Sequence, residues 1–241
     1  MILIMKEKIL NEFKGFGTLE IILMTIAIVL IPIISLIDGD NILGIISSVS
    51  GVLCVYLTGK GKLSSYLFGL INCVTYGYIA YTSKYYGDAM QNIFYYLPMQ
   101  FIGFYLWFKN MNKVTLEVNK KHMSNKLRMI SLLIIVSLTY GYGLILKNLG
   151  GNLPFIDSFT TLGSVIAMTI QSFMYAEQWW LWVAIDFFGL YMWIVDYMSG
   201  NESMATLLMW VMYLILGIVM LVRWEKEVIL NERKNKNINE K

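Results

Sequence analysis

Residues 127–147 read LRMISLLIIVSLTYGYGLILK, and no charged side chain lies between Arg128 and Lys147. A helix needs about 20 mostly apolar residues to cross the hydrocarbon layer of a bilayer, so this stretch predicts a membrane-spanning helix. The whole chain has the same character: 57% of its 241 residues are hydrophobic, 15% are charged, and the mean hydropathy is +0.60. This composition excludes a soluble domain and a disordered chain.

Seven further windows are long and apolar enough to span a membrane. Together with 127–147 they give eight predicted spans: 18–37, 41–58, 63–83, 88–108, 127–147, 154–174, 178–198 and 203–223. Turn-forming and charged residues fill the intervals between them, as in Asp38-Gly39-Asp40. Ahead of the first span, Met1–Gly17 interleaves lysines with apolar residues, which predicts an amphipathic helix at the membrane interface.

Lysines and arginines are distributed unevenly among the predicted loops. If the N-terminus is cytoplasmic, all 19 of them except Lys84 and Lys147 fall on the cytoplasmic side. The positive-inside rule requires such a split, and a seven-span topology would place one of the basic clusters outside. We therefore predict a multi-pass protein of the bacterial plasma (inner) membrane with both termini in the cytoplasm.

The second to fourth spans resemble the sixth to eighth at an offset of 114 residues. This offset pairs Tyr66 with Trp180, Phe68 with Trp182, Asn72 with Asp186, and Asp88 with Glu202. Both sets of three run in the same direction, because the fifth span restores the orientation between them. The sequence thus predicts an all-α membrane protein with two parallel three-helix repeats, a linker helix between them and one N-terminal helix. Transporters of this kind bind their substrates at the repeat interface near the membrane midplane.

The corresponding partition of the chain has five parts. They are an N-terminal segment with the extra span (1–40), the first repeat (41–108), a cytoplasmic loop with the linker helix (109–148), the second repeat (149–225) and a charged cytoplasmic tail (226–241).

Polar side chains at membrane depth are costly unless they are paired or hydrated, so they are functional candidates by default. Four spans place such residues on one face together with aromatic residues. The candidates are Asn72 and Tyr76 in the third span, Asn92, Tyr96 and Gln100 in the fourth, Gln171 in the sixth, and Trp179, Trp182 and Asp186 in the seventh. Amides and carboxylates bind hydroxyl and carboxamide groups, whereas aromatic faces stack on rings, best of all on cationic ones. The pattern predicts recognition of a flat, hydrophilic ligand.

Each candidate also has a structural interpretation. Asparagine and glutamine often hold membrane helices together, and Trp179 lies near the predicted inner boundary, where tryptophans anchor helices. Asp186 is harder to explain in this way, because no lysine or arginine lies at membrane depth to pair with it. Pro98, between Tyr96 and Gln100, predicts a kink.

Other classes of membrane protein find little support in the sequence. The single histidine, His122, lies in a basic loop, and the spans contain neither a nucleophile with its base nor a cluster of metal ligands. A membrane-embedded enzyme, a metal site and a bound cofactor are therefore not predicted. A retinal photoreceptor would need a lysine deep in a helix, and there is none.

The stretch Tyr66-Leu-Phe-Gly-Leu-Ile-Asn72, followed by Tyr76, Tyr85, Asp88, Asn92, Tyr96 and Trp107, resembles the first repeat of the PnuC family of vitamin-precursor transporters. Trp179-x-x-Trp182, followed by Asp186, Tyr191 and Trp224, resembles the second repeat. The resemblance covers roughly 45–225 and leaves the first span outside the core. It implies a 3+1+3 core related to SWEET sugar transporters, assembly as a homotrimer, and Tyr191 as a further substrate-binding residue.

The resemblance also implies a function. Family members take up nicotinamide riboside, a precursor of NAD, by facilitated diffusion, and a cytoplasmic kinase then traps it by phosphorylation. Thiamine, riboflavin and deoxynucleosides remain alternative substrates, and a non-transporting membrane sensor remains the alternative from another class. The expected partners are the small-molecule substrate, the lipid bilayer and further copies of the chain, with no nucleic acid.

Overall fold

The computed structural model describes residues 17–39, 41–82, 89–112, 117–148, 153–198 and 204–239. Within these ranges eight helices occupy the eight predicted windows; seven agree with their windows to within three residues, and the last continues 16 residues beyond its window, into the predicted tail. They are α1 (Thr18–Thr25, Ile26–Leu30 and Ile31–Asp38), α2 (Ile42–Gly59), α3 (Ser64–Thr82), α4 (Gln91–Tyr96 and Leu97–Lys109), α5 (Asn125–Asn148), α6 (Pro154–Ser172), α7 (Gln178–Met198) and α8 (Met204–Asn239). The interfacial helix predicted for Met1–Gly17 lies outside the described residues except for Gly17, as do the paired turn residues Asp88 and Glu202.

Five segments in the described ranges are long and apolar enough to cross a membrane by length and composition alone. They are Ile21–Asp38, Ile42–Gly59, Asn125–Asn148, Gln178–Val195 and Met204–Lys234. The other three helices, α3, α4 and α6, carry most of the predicted polar candidates. Amide, hydroxyl and tyrosine side chains lower their mean hydropathy, which is the composition expected of helices that line a polar interior.

Two helices contain a π-helical turn just before a proline. Ile26–Leu30 precedes Pro32 in α1, and Gln91–Tyr96 precedes Pro98 in α4. Proline has no N–H, and its ring clashes with the carbonyl four residues earlier, so a wider turn at this point relieves the clash. The disturbance predicted at Pro98 is therefore present as a π-helical turn. It also contains Asn92, whose carbonyl accepts a hydrogen bond from the N–H of Leu97.

Local signals in the sequence account for the turn between α1 and α2. Gly39 adopts a left-handed conformation with φ of 87° and ends α1, which a residue with a Cβ would do at a cost. Asn41 then caps α2, because its side-chain oxygen accepts a hydrogen bond from the N–H of Gly44 at 2.8 Å. The break predicted at Asp38-Gly39-Asp40 is confirmed at Gly39, and its cause is a left-handed glycine followed by an N-cap; Asp40 lies outside the described residues.

The chain forms two compact units, which consist of Met1–Asn119 with Ser203–Met209, and of Lys120–Glu202 with Trp210–Lys241. In the first unit, α2 packs along α3, and α3 packs against α4. In the second unit, α5 packs along α6, and α6 packs against α7. In addition, the ring of Trp210 in α8 lies over Gly189 of α7, where a Cβ would collide with it.

The turn between α2 and α3 recurs between α6 and α7 with the same backbone hydrogen bonds. The matching N–H donors are Gly61, Lys62, Ser65 and Tyr66 in the first turn, and Met174, Tyr175, Gln178 and Trp179 in the second. These pairs are 113 residues apart, so the predicted offset of 114 is wrong by one residue here. Tyr66 therefore corresponds to Trp179, and Cys73 to Asp186.

The first residues of the second unit are held to the rest of that unit by polar contacts. The N–H of Lys121 donates to the carbonyl of Met174 at 3.2 Å. The N–H of Met123 donates to both carboxylate oxygens of Glu177, at 3.0 and 3.1 Å. Arg128, at the start of α5, forms an ion pair with the same carboxylate at 2.5 Å. Glu177 therefore joins the start of α5 to the turn that precedes α7.

Acidic residues of α8 neutralise part of the basic stretch predicted as a loop. Lys120 forms an ion pair with Glu227. The two ring nitrogens of His122 each lie 3.1 Å from a carboxylate oxygen, one of Glu225 and one of Glu232. Because all three carboxylates belong to the last helix, these contacts fix the 120–122 segment against α8.

Candidate functional site

Helices α6 and α7 bring two of the predicted substrate-binding residues together. The indole Nε1–H of Trp182 donates to the side-chain oxygen of Gln171 at 3.1 Å. Gln171 is buried and Trp182 is half-buried. The bond restricts rotation of the indole, so the ring is held in one orientation with part of its surface accessible. Gln171 therefore orients the tryptophan.

Trp179 is buried in the protein interior, although it lies at the N-terminal end of α7 near the predicted membrane boundary. It is 1% exposed, and its ring meets that of Trp224 edge to face at a centroid distance of 6.1 Å. The neighbouring Trp180, in contrast, is 60% exposed, and its indole N–H donates to Glu225. The two tryptophans of the WxxW motif thus differ in role: Trp179 packs in the interior of the second unit, whereas Trp182 presents an oriented ring.

Asp186 is buried in α7, with 5% of its surface exposed. In the described part of the chain, no group forms a hydrogen bond or an ion pair with its carboxylate. Its nearest neighbour on α8 is Gly217, where a Cβ would lie 3.3 Å from Asp186 Oδ2. Asp186 is four residues after Trp182, so both side chains share one face of α7. A buried carboxylate and an oriented indole therefore lie on adjacent turns.

Tyr191 is placed differently from the other candidates of the second repeat. It follows Asp186 by five residues, which turns it about 140° away around the helix. Half of its surface is exposed. The structure therefore does not group Tyr191 with Trp182 and Asp186, and its role in binding stays a prediction.

In the first unit, Gln100 of α4 lies against α3. A Cβ at Gly69 would collide with the amide of Gln100, so the glycine makes room for it. The amide Nε2–H donates to the thiol sulfur of Cys73 at 3.7 Å, and Gln100 is only 6% exposed. Gly69 and Cys73 together define a recess on α3 that holds this amide.

Asn72 has a structural role in the first unit. Its Nδ2 donates to the carbonyl oxygen of Ser47 at 2.9 Å and lies 3.4 Å from the Ser47 hydroxyl. This contact joins α3 to α2, as amides commonly do between membrane helices. The amide Nδ2 of this predicted substrate-binding residue is thus already bonded to another part of the protein.

Two of the remaining candidates of the first unit, Asn92 and Tyr96, lie within the π-helical turn. Asn92 is 5% exposed, and Gly77 of α3 approaches it so closely that a Cβ there would lie 3.3 Å from the Cβ of Asn92. Tyr96 is half-buried, and its ring lies 5.6 Å from that of Tyr95. Tyr76 is half-buried on α3. The π-helical turn of α4 therefore carries polar candidate residues of this unit.

Residues 41–226 match the family described as nicotinamide mononucleotide transporters. A nicotinamide riboside transporter PnuC from Neisseria mucosa is 34% identical, over 90% of this chain and 84% of its own. The transporter of the same name from Haemophilus influenzae is 31% identical, over 93% of this chain and 96% of its own. A solved structure, described as the crystal structure of the vitamin B3 transporter PnuC, matches with a TM-score of 0.80 at 33% identity, over 90% of this chain and 95% of that chain. The chain belongs to the PnuC family.

Family membership confirms the resemblance seen in the sequence and the all-α membrane fold. The range matched by the family begins at residue 41, after α1, whereas the relatives and the solved structure match 90% or more of the chain and so include part of α1. The relatives are named as transporters, which agrees with the prediction that the chain is not an enzyme. PnuC proteins are multi-pass membrane proteins, and this chain is one of them.

Sequence reasoning assigned no role to several residues that shape the site. Tyr66 and Trp107 are PnuC motif residues with no predicted role in the site, yet their rings meet edge to face at 5.2 Å in the interior of the first unit. The glycines Gly69 and Gly217 give space to Gln100 and Asp186, and the sequence predicts no such role for either of them. Their only sequence signal is a glycine inside a helical pattern, which indicates a close approach without identifying the partner.

Proposed function

We propose that this chain takes up nicotinamide riboside by facilitated diffusion. The proposal rests on membership of the PnuC family and on the names of its relatives. The observation that carries it is the pairing on α7 of an indole oriented by Gln171 with the buried carboxylate of Asp186. Thiamine, riboflavin and deoxynucleosides are the alternative substrates.

The chemistry of nicotinamide riboside suits these residues. The substrate has a cationic pyridinium ring, a carboxamide and a ribose with vicinal hydroxyls. An indole face attracts a cationic ring by about 0.5–2 kcal/mol, depending on desolvation, and Trp182 supplies one. In the second unit Asp186 supplies a buried carboxylate, and in the first unit Asn92 and Gln100 supply buried amides; such groups bind hydroxyls and carboxamides. Tyr76 and Tyr96 of the first unit and the buried Trp179 of the second unit complete the candidate set.

The distribution of charge favours the nucleoside over its phosphorylated form. No lysine or arginine lies among the candidate residues or within a helical turn of Trp182 or Asp186. A phosphate group carries a charge of about −1.5 to −2 at neutral pH, and α7 would offer it an aspartate but no lysine or arginine. We therefore propose that nicotinamide mononucleotide is not carried, although the family description names it.

The remaining parts of the proposal concern the cellular setting. We place the chain in the bacterial inner membrane with both termini in the cytoplasm, because the lysines and arginines are so unevenly distributed. We assign it a homotrimeric state on the family resemblance. Phosphorylation of the riboside by a cytoplasmic kinase would keep the product inside, since the carrier does not accept the nucleotide.

Calorimetry on detergent-purified protein tests the substrate assignment. Nicotinamide riboside, thiamine, riboflavin and thymidine are titrated separately, and we expect dissociation constants in the micromolar range or below only for the riboside. Trp182→Ala should weaken this affinity at least tenfold, because it removes the stacking surface. Trp180→Ala is the matched control, since Trp180 is an exposed tryptophan of the same helix. Tighter binding of another ligand, or equal losses in both variants, contradicts the assignment.

A further inference from the structure

The recurring turn aligns α3 with α7 residue by residue. Its backbone hydrogen bonds repeat at a distance of 113 residues. Continued along the two helices, this offset makes Gly69 the counterpart of Trp182, and Cys73 the counterpart of Asp186. The positions that form a recess in the first repeat therefore carry an indole and a carboxylate in the second.

Two buried aromatic pairs align α4 with α8. Tyr66 packs edge to face on Trp107, and its counterpart Trp179 packs edge to face on Trp224. Trp107 and Trp224 are 117 residues apart. The same offset makes Gln100 the counterpart of Gly217. Contacts support this alignment independently, because Gln100 touches Cys73 and Gly217 faces Asp186, the counterpart of Cys73.

The polar group thus lies on the last helix of the first repeat, α4, but on the middle helix of the second repeat, α7. In the first repeat α4 supplies an amide, Gln100, which fits the recess at Gly69 and Cys73. In the second repeat α7 supplies a carboxylate, Asp186, and α8 supplies only a glycine. Since Gly217 has no side chain, the helix that faces Asp186 offers it no side-chain donor at this position.

A buried carboxylate without a donor attracts a cation strongly. Desolvation makes its charge costly, and a positive group placed beside it recovers much of that cost. The accessible surface of Trp182, one turn away on α7, attracts the same kind of group. An uncharged ring of the same size would gain only stacking.

We propose that Asp186 and Gly217 together select a positively charged ring over an uncharged ring of nearly the same shape. This inference rests on the proposed function and adds to it the property of the substrate that is recognised. Gly217 is a specificity-determining position because its missing side chain leaves Asp186 to the substrate.

The test compares nicotinamide riboside with its reduced dihydro form, which has lost the ring charge. Binding of both is measured by calorimetry on the full-length protein. The wild type should prefer the cationic form by roughly ten- to hundredfold, the range expected for one charge-assisted contact. Asp186→Asn should lower this preference about tenfold while it keeps affinity for the dihydro form, and that retained affinity shows that the variant is folded.

Two substitutions of Gly217 separate hydrogen bonding from volume. A Cβ at this position would lie 3.3 Å from Asp186 Oδ2 and 3.2 Å from Val183 Cγ2, so both alanine and serine fit after a shift of a few tenths of an ångström. Gly217→Ser adds a hydroxyl that can donate to Asp186 and should reduce the preference severalfold. Gly217→Ala adds only a methyl group and should keep it.

Asp157→Asn serves as the control for loss of a carboxylate. Asp157 of α6 is already bonded to the Thr161 hydroxyl at 3.4 Å, so its removal should leave the preference unchanged. Equal affinity of the wild type for both forms, or an undiminished preference in Asp186→Asn, overturns the inference while the proposed function stands. If neither form binds, the proposed function itself fails.

Discussion

Replacement of Gly69 by alanine should displace the side chain of Gln100 while the glutamine itself is unchanged. An alanine Cβ at this position would collide with the Gln100 side-chain oxygen and would lie 2.7 Å from its Cδ. Because the obstacle is the end of a flexible side chain, we expect the amide to swing away while α3 keeps its place. The displaced amide then loses its contact with the thiol of Cys73.

The size of the effect follows from burial. Gln100 is 6% exposed, so its amide has little access to water once it has moved. A buried polar group without a partner costs about 1–3 kcal/mol. We therefore expect Gly69→Ala to lower the free energy of unfolding by that amount, and to weaken binding of nicotinamide riboside by roughly ten- to hundredfold if Gln100 binds the substrate.

Gly141→Ala provides the matched control, because a Cβ at Gly141 of α5 meets nothing within 4 Å. Alanine is the better helix former by about 0.8–1 kcal/mol, so this variant should be as stable as the wild type or more stable. Thermal unfolding in detergent and calorimetry with nicotinamide riboside give the two readouts. If Gly69→Ala behaves like Gly141→Ala in both, the close approach of Gln100 to α3 has no energetic importance and the reasoning is refuted.

Two further predictions concern the second unit. Gln171→Met removes the acceptor for the Trp182 indole and should weaken riboside binding about three- to tenfold in calorimetry. Gln171→Glu keeps an acceptor and should therefore retain most of the wild-type affinity. Equal losses of affinity in the two variants would show that the hydrogen bond does not orient the ring. Glu177→Gln keeps an acceptor for the N–H of Met123 and loses only the partly exposed ion pair with Arg128, so it should cost under about 1 kcal/mol of stability in thermal unfolding. Glu177→Ala leaves that N–H without its acceptor and should cost about 1–3 kcal/mol; identical unfolding temperatures for the two variants would contradict this account of Glu177.

Helix positions were predictable because they depend on length and hydropathy. Seven of the eight windows match their helices to within three residues, whereas the last helix continues 16 residues beyond its window; the break at Gly39 has its signal in the sequence. The form of the disturbance at Pro98 was not predictable, because a kink and a π-helical turn both relieve the same clash. Only the positions of Gln91–Tyr96 in space distinguish the two.

The repeat offset was missed by one residue for a specific reason. The turn before α3 has Gly61 in the left-handed region, with φ of 68°, whereas the turn before α7 has Met174 there, with φ of 62°. A glycine indicates such a position in a sequence, but a methionine does not. The equivalence therefore emerges only from the backbone hydrogen bonds of the two turns.

Among the candidate residues, the sequence identified polar positions but could not say which group each one contacts. Asn72 joins two helices, Gln171 orients Trp182, and Asp186 has no partner in the described residues. All three look alike in a sequence, since each is a polar residue in an apolar helix. Their roles depend on what the neighbouring helix presents to them, and to Asp186 that helix presents a glycine.

Flux of nicotinamide riboside into liposomes that contain the purified protein tests the proposed function most directly. We expect the riboside to enter until its concentrations inside and outside are equal, no faster with a proton gradient than without one, while nicotinamide mononucleotide stays outside. Binding without flux would instead indicate a sensor. Accumulation above the external concentration, or entry of the mononucleotide at the rate of the riboside, would contradict selective facilitated diffusion.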